Sequence, residues 1–357
     1  MPLINVIELL SGLVLLIAGA ELMVRAAVRL AARLHVRPLI IGLTIVALGS
    51  SAPQMAISLQ ATLAQNVDIA VGSVIGSSIF NILVTLGLSA LIIPLRVSRQ
   101  LVRLDIPLMI GASLLVFILA WIEELTRSDG MVLLAALMVY LGLLLRQSRH
   151  SARPPSHDET RQAPWFSSLL MIVAGLGMLV YAGHLLLGAA VAVATDLGLS
   201  ERIIGLTIVA ISTSLPELAT SLIAALRGQR EIAVGNVIGS NLFNLLGVLG
   251  VTALIAPTPL SVSPNALDFD LPVMLGVAAL CLPIFYSGYR VTRAEGLVFL
   301  GLYLAYGLHV VSFTTGMPLA GKLEHLMLFF VLPALGAFVL LTSLLAWRRQ
   351  HHKKEVP

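Results

Sequence analysis

Charge is what this sequence has least of. Asp, Glu, Lys and Arg make up 11% of the 357 residues, hydrophobic residues make up 58%, and the mean hydropathy is +0.98. An ordinary soluble domain carries roughly 25% charged residues, so that class is excluded. Cys281 is the single cysteine, which excludes an internal disulfide. No H-E-x-x-H, G-x-S-x-G or Walker A phrase occurs, so no nucleophile, metalloprotease or nucleotide-hydrolysing motif marks an enzyme, and no cofactor is expected.

What is present is apolar sequence in lengths that cross a bilayer as helix. Eleven spans are expected, at roughly 4–28, 39–63, 69–94, 105–122, 130–146, 166–194, 203–226, 232–256, 270–286, 295–312 and 325–347. The first has no basic segment before it and reads as a span, not as a cleaved leader. The net charge of +4 follows topology: with the N-terminus outside, all 22 Lys and Arg except Arg127, Arg202 and Lys322 fall on the inner side. That bias predicts N-out and C-in, an integral protein of a bacterial inner membrane. His351, His352, Lys353 and Lys354 then meet anionic lipid headgroups of the bilayer, and nucleic acid is not needed to explain them.

Sliding the chain by 163 positions aligns Gly42–Leu95 with Gly205–Thr258 without a gap, and about 30 of the 54 positions are identical. The likeness continues from "DIPLMIG" at Asp105 to "DLPVMLG" at Asp270, and from "SDGMVLL" at Ser128 to "AEGLVFL" at Ala294. Five spans per copy is an odd number, so the second copy enters from the opposite side. The expected fold is all-α and polytopic, with two inverted five-helix repeats and one extra C-terminal transmembrane helix, the architecture in which alternating access arises around a midplane site. The expected boundaries are 1–146 and 165–312 for the repeats, 147–164 for a flexible cytoplasmic linker and 313–357 for an accessory helix and basic tail.

Each repeat carries a proline inside a span, Pro53 in "LGSSAPQMAISL" and Pro216 in "ISTSLPELATSL". Proline removes a backbone donor, so carbonyls near Ala47 and Ala210 are expected to be freed from helix bonding at membrane depth. Ser50, Ser51, Thr213 and Ser214 add hydroxyls, and Glu217 adds a charge that costs about 2.5 to 3.5 kcal/mol at a helix centre. No Lys or Arg lies at the centre of a span, so a cation or proton is the expected partner of Glu217. Ligands made only of oxygen suit hard ions such as Na⁺ or Ca²⁺. In the following spans Ser73, Ser77 and Asn81 lie four apart, as do Asn236, Ser240 and Asn244, so each set follows one helical face. Gly72 with Gly76, and Gly235 with Gly239, are expected to allow close helix contact.

At these residues the chain resembles the cation/Ca²⁺ antiporter superfamily, in particular prokaryotic sodium/calcium exchangers; the doubled "GLTIVA" and "GS-x-x-FN" phrases carry the resemblance. It implies ligation by the backbone oxygens of Ala47 and Ala210, by side chains of Ser50, Ser51, Ser77, Thr213, Ser214 and Ser240, and by the facing Gln54, Asn81, Glu217 and Asn244. It also implies gating helices around Gly12 to Ala32 and Gly175 to Thr195. Members usually place a glutamate in both repeats and many an aspartate where Asn244 stands, whereas here Glu217 is the single central carboxylate. The expected activity is antiport of Ca²⁺ or another small cation against Na⁺ or H⁺. The alternatives are a monovalent cation/proton exchanger with little Ca²⁺ transport and a transport-inactive membrane scaffold. Partners are small inorganic cations and lipid, and oligomeric state is not legible. Glu21 and His184 are expected to be structural, Asp68 and Glu231 to favour helix N-termini, and Glu123, Glu124, Asp129 and Glu324 to be solvated loop charges.

Overall fold

In the computed structural model, residues 3–65, 67–122, 124–150, 165–196, 210–286, 288–314 and 319–331, with positions 334 and 337, are described. The apolar runs form helices α1 (Leu3–Leu34), α2 (Pro38–Leu63), α3 (Ala70–Ile92), α4 (Leu101–Ala120), α5 (Arg127–His150), α6 (Trp165–Asp196), α7 (Leu215–Leu226), α8 (Arg230–Ile255), α9 (Ala266–Tyr286), α10 (Arg293–Thr314) and the short α11 (Leu319–Leu326). Among the described residues nine helices are long and apolar enough to cross a membrane. The seventh expected span is described only from Ala210, and most of the eleventh, 325–347, lies outside the described residues, as does the stretch 151–164.

The helices sort by what they bury. In their most apolar windows α8 is 83% and α3 78% buried, whereas α1 is 28% and α6 22% buried. On α1, Leu16, Ala20, Met23 and Ala27 are buried while Ile7, Leu10, Val14 and Ile17 are exposed. Both sets follow helical spacing, and both faces are apolar, which is the pattern of a helix with protein on one side and lipid on the other. The protein is therefore an integral membrane protein, with α3 and α8 at its centre. The long helices α1 and α6, 32 residues each, pack against one another at the periphery. They meet where a Cβ on Gly19 would stand 2.9 Å from the Gly175 carbonyl oxygen, too close for any residue but glycine.

Loops of the two halves also pair with each other. Strand β1 (Leu95–Arg96), between α3 and α4, pairs antiparallel with β4 (Arg290–Val291), between α9 and α10; β2 (Glu124–Leu125), after α4, pairs with β3 (Leu260–Ser261), after α8. Alternating spans put one ribbon at each end of the bundle, and the repeat shift exchanges one ribbon with the other. The starts of α5 and α10 match too. Asp129 accepts the Thr126 N–H at 2.8 Å and Glu295 accepts the Thr292 N–H at 2.7 Å, each acid answered by the threonine hydroxyl. These are capping boxes, so Asp129 is a helix cap and not a free loop charge. Glu231 lies in the first turn of α8, the helix N-terminus expected for it, and also pairs with Arg37 at 3.2 Å.

Two expectations about close contact separate here. Gly235 and Gly239 press α8 onto the first half of α2, a Cβ on Gly239 falling 2.7 Å from both Ala47 Cβ and the Leu43 carbonyl oxygen. Gly72, the counterpart of Gly235 in the other repeat, has open space where its Cβ would be. The contact at Gly235 exists because α2 crosses α8 at that point, a packing fact that repeat symmetry alone does not supply.

Candidate functional site

The two prolines start half-helices. In α2 a π-helical turn over Gly42–Val46 leads into Ala47–Ser50, the chain turns at Ser51, and helix resumes at Ala52–Leu63 with Pro53 in its first turn. In the second repeat Ala210–Thr213 is followed by Leu215–Leu226 with Pro216 at the same place. Proline is well tolerated there, because its missing N–H is one that a first turn leaves unused. Gln54 and Glu217 follow directly, at the positive ends of the half-helix dipoles. The break does not free the Ala47 carbonyl from helix bonding, since it accepts the Ser51 N–H at 3.0 Å. Pro53 withholds its donor from the carbonyl four residues back, and that residue is Gly49, not Ala47. In the second repeat the corresponding Ser214 N–H goes to Ile211 at 3.0 Å.

Around the breaks, four helices from the two repeats are bridged by polar side chains. From α2 to α8, Ser50 Oγ donates to Asn236 Oδ1 at 3.1 Å and lies 3.2 Å from Ser240 Oγ. From α3 to the turn before α7, Ser77 Oγ is 3.4 Å from Thr213 Oγ1. From α2 to α7, Ser51 Oγ donates to Glu217 Oε1 at 3.3 Å, and from α3 to α8, Asn81 Nδ2 donates to Asn241 Oδ1 at 3.1 Å. Ser50, Ser51, Gln54, Ser77, Asn81, Thr213, Ser214, Glu217, Ser240 and Asn244 are each no more than 3% exposed. Asn244 lies one turn beyond Ser240 on α8, on a segment that packs on the second half of α2. Of Ala210 only the backbone is described.

The two acid positions behave differently. Gln54 has both N–H groups engaged: its Nε2 donates to Ser73 Oγ at 2.8 Å and Ser58 Oγ at 3.2 Å, and its Oε1 accepts from Ser77 at 3.0 Å with a second lone pair to spare. Because Ser73 spends its own proton on the Ala70 carbonyl, only the amide nitrogen of Gln54 can face it. Glu217 keeps Oε2 without a partner, and Asn81 Oδ1 and both amide atoms of Asn244 are likewise buried and unpaired. Buried polar atoms are ordinarily satisfied, so the three unpaired oxygens, on Glu217, Asn81 and Asn244, suit a cation, whereas the Asn244 Nδ2, a donor, does not. Among the described residues no three His, Cys, Asp or Glu side chains come together, so a cation here meets hydroxyls, amides, backbone carbonyls and one carboxylate.

Several partners were not singled out from the sequence. Ser58 and Ser221 stand four residues after Gln54 and Glu217 and are identical in the two repeats, a signal that was present. Asn236, whose Nδ2 donates to the Glu217 carbonyl at 3.2 Å and to Ser221 Oγ at 2.9 Å, lay on the recognised polar face. Asn241 gave no signal, because its repeat counterpart is Ser78. Glu21 lies outside this cluster, on α1, where Arg25 and Arg227 hold it in ion pairs.

Comparison with known proteins agrees with this geometry. The family model described as sodium/calcium exchanger protein matches residues 4–146 and 167–312. The chain is 38% identical to the putative antiporter CaxA of Alkalimonas amylolytica, over 85% of this chain and 98% of that protein. It is 29% identical to the sodium/calcium exchanger MaX1 of Methanosarcina acetivorans, over 85% and 97%. A solved structure of the sodium-calcium exchanger NCX_Mj superposes with a TM-score of 0.75 at 31% identity, over 85% of this chain and 98% of that one. The family match and the superposition each cover most of the chain: it belongs to the sodium/calcium exchanger family and is a cation antiporter of that type.

Proposed function

We propose that the cluster around Glu217 is the exchange site, that Na⁺ is its preferred ion and that Ca²⁺ is carried weakly. The observation that carries this reading is the contrast between Glu217, which keeps an unpartnered carboxylate oxygen, and Gln54, which is neutral and already bonded at both ends of its amide by Ser58, Ser73 and Ser77. A divalent ion in a low-dielectric pocket calls for several acidic oxygens, and one carboxylate balances a single positive charge. The remaining ligands in this reading are the side chains of Ser50, Ser51, Ser77, Asn81, Thr213, Ser214, Ser240 and Asn244, the backbone oxygen of Ala210, and the second lone pairs of the Gln54 side-chain carbonyl and the Ala47 backbone carbonyl, each of which already accepts one hydrogen bond. The relatives named for Na⁺ and Ca²⁺ support a cation of this size and hardness. The test is flux in proteoliposomes with Na⁺, Ca²⁺, K⁺ and H⁺ gradients imposed one at a time. Na⁺-coupled flux with weak Ca²⁺ uptake is expected, and vigorous Ca²⁺ exchange at low concentration would contradict the reading.

The same reading assigns 1–146 and 165–312 to two repeats of opposite orientation, 147–164 to a linker, and 313–357 to an accessory segment. It puts the N-terminus outside a bacterial inner membrane and the C-terminus in the cytoplasm. A reporter fused after Lys354 should register as cytoplasmic and one inserted beside Arg127 as external. Both on one side would rule out five crossings per repeat.

A further inference from the structure

We propose that Asn241 is a positioning residue that fixes the amide of Asn81 with its oxygen free for the transported cation. The inference rests on the site reading above and extends it to a residue that touches no ion.

Amide oxygen and nitrogen are nearly the same size, and only the hydrogen-bond network tells which way an asparagine points. Here the network leaves one solution. The backbone carbonyl of Ser78 can only accept, and it faces the Asn241 amide at 3.2 Å, so Asn241 presents Nδ2 to it. The Met109 sulfur, a weak acceptor 3.7 Å from the same nitrogen, agrees. Asn241 therefore turns Oδ1 toward Asn81 and accepts from its Nδ2 at 3.1 Å. What remains on Asn81 is Oδ1, fully buried and without a partner. Asn81 is one helical turn beyond Ser77, whose hydroxyl meets Gln54 and Thr213, and the turn it begins packs on α7. Asn244, the repeat counterpart of Asn81, has no such anchor: neither amide atom is bonded, and either can face the site. Of the two related amides, only that of Asn81 is committed in advance to ligating a cation.

The test is a double-variant cycle read by binding of radiolabelled Na⁺ to the purified, monodisperse full chain. Asn241→Ser installs the residue found at this position in the other repeat, and its hydroxyl cannot reach both partners. It should weaken Na⁺ binding roughly threefold to tenfold, the range of one net hydrogen bond. In an Asn81→Asp background both side-chain atoms are oxygens, orientation ceases to matter, and Asn241→Ser should cost nothing. An equal loss in both backgrounds would mean that Asn241 merely supports packing, and no loss in the parent background would remove its role altogether. If Asn241→Ser does not purify, Asn241→Thr, whose hydroxyl also serves one partner at a time, takes its place in the cycle. Glu217→Gln separates the two levels of the argument. Undiminished Na⁺ binding in that variant refutes the site itself, whereas its loss together with an intact Asn241→Ser refutes only the positioning role.

Discussion

Gln54→Glu is expected to raise Ca²⁺ affinity by orders of magnitude and to convert a weak Ca²⁺ carrier into an effective one. The native amide contributes one carbonyl oxygen and no charge, with both of its N–H groups held by Ser58 and Ser73. A carboxylate there cannot donate to Ser73, whose own proton is given to the Ala70 carbonyl, so it loses that anchor and is drawn toward a bound cation instead. At ~4 Å and an effective dielectric of about 20, one added carboxylate changes the Coulomb energy of a divalent ion by roughly 8 kcal/mol before desolvation is subtracted. A quarter of that figure surviving would still exceed tenfold in affinity. The measurement is Ca²⁺ uptake, with Na⁺ competition, in matched vesicles of parent and variant. High-affinity Ca²⁺ exchange in the parent, unchanged by the substitution, would show that position 54 does not see the ion.

Glu217→Gln should abolish cation-dependent transport while leaving the protein inserted and folded. Gln has nearly the shape of Glu and can still accept from Ser51, so the contact between α2 and α7 is retained. What disappears is the charge facing the bound ion. For a monovalent cation at ~4 Å the same estimate gives roughly 4 kcal/mol, close to a thousandfold in affinity. The check is Na⁺-coupled flux together with a monodisperse elution profile for the purified variant. Near-normal flux would move the site away from the helix breaks.

The two variants push in opposite directions from one physical cause. Charge within a low-dielectric pocket sets which ion set is neutralised, and oxygen count alone does not. In the proposed site position 54 sets selectivity and position 217 is indispensable. The structural asymmetry between them is already visible in their partners, a closed hydrogen-bond ring around the amide and an open oxygen on the acid.

Much of this was legible in residues 42–95 and 205–258, because internal likeness at a constant shift carries information that apolar composition does not. Span lengths follow from hydrocarbon thickness, and a proline beside a polar residue where neither is otherwise tolerated pointed to the helix breaks at Pro53 and Pro216. Gln54 and Glu217 could be paired by alignment alone. Their hydrogen-bond partners could not, because partners depend on which helices cross. Only the packed bundle brought Ser50 against Asn236 and Ser240, closed the Gln54 ring with Ser58 and Ser73, and kept the Ala47 carbonyl bonded to Ser51 despite the proline. It also bridged Asn81 to Asn241, a residue whose repeat counterpart, Ser78, offers a different side chain and so left no doubled signal to read. The sequence by itself determined most of the helices and the recurrence of polar positions between Gly42–Leu95 and Gly205–Thr258, since these follow from local periodicity and internal likeness. Tertiary structure decided which polar atoms were satisfied and which were left unpaired, because hydrogen bonds between helices are set by interhelical contact and not by spacing along one chain.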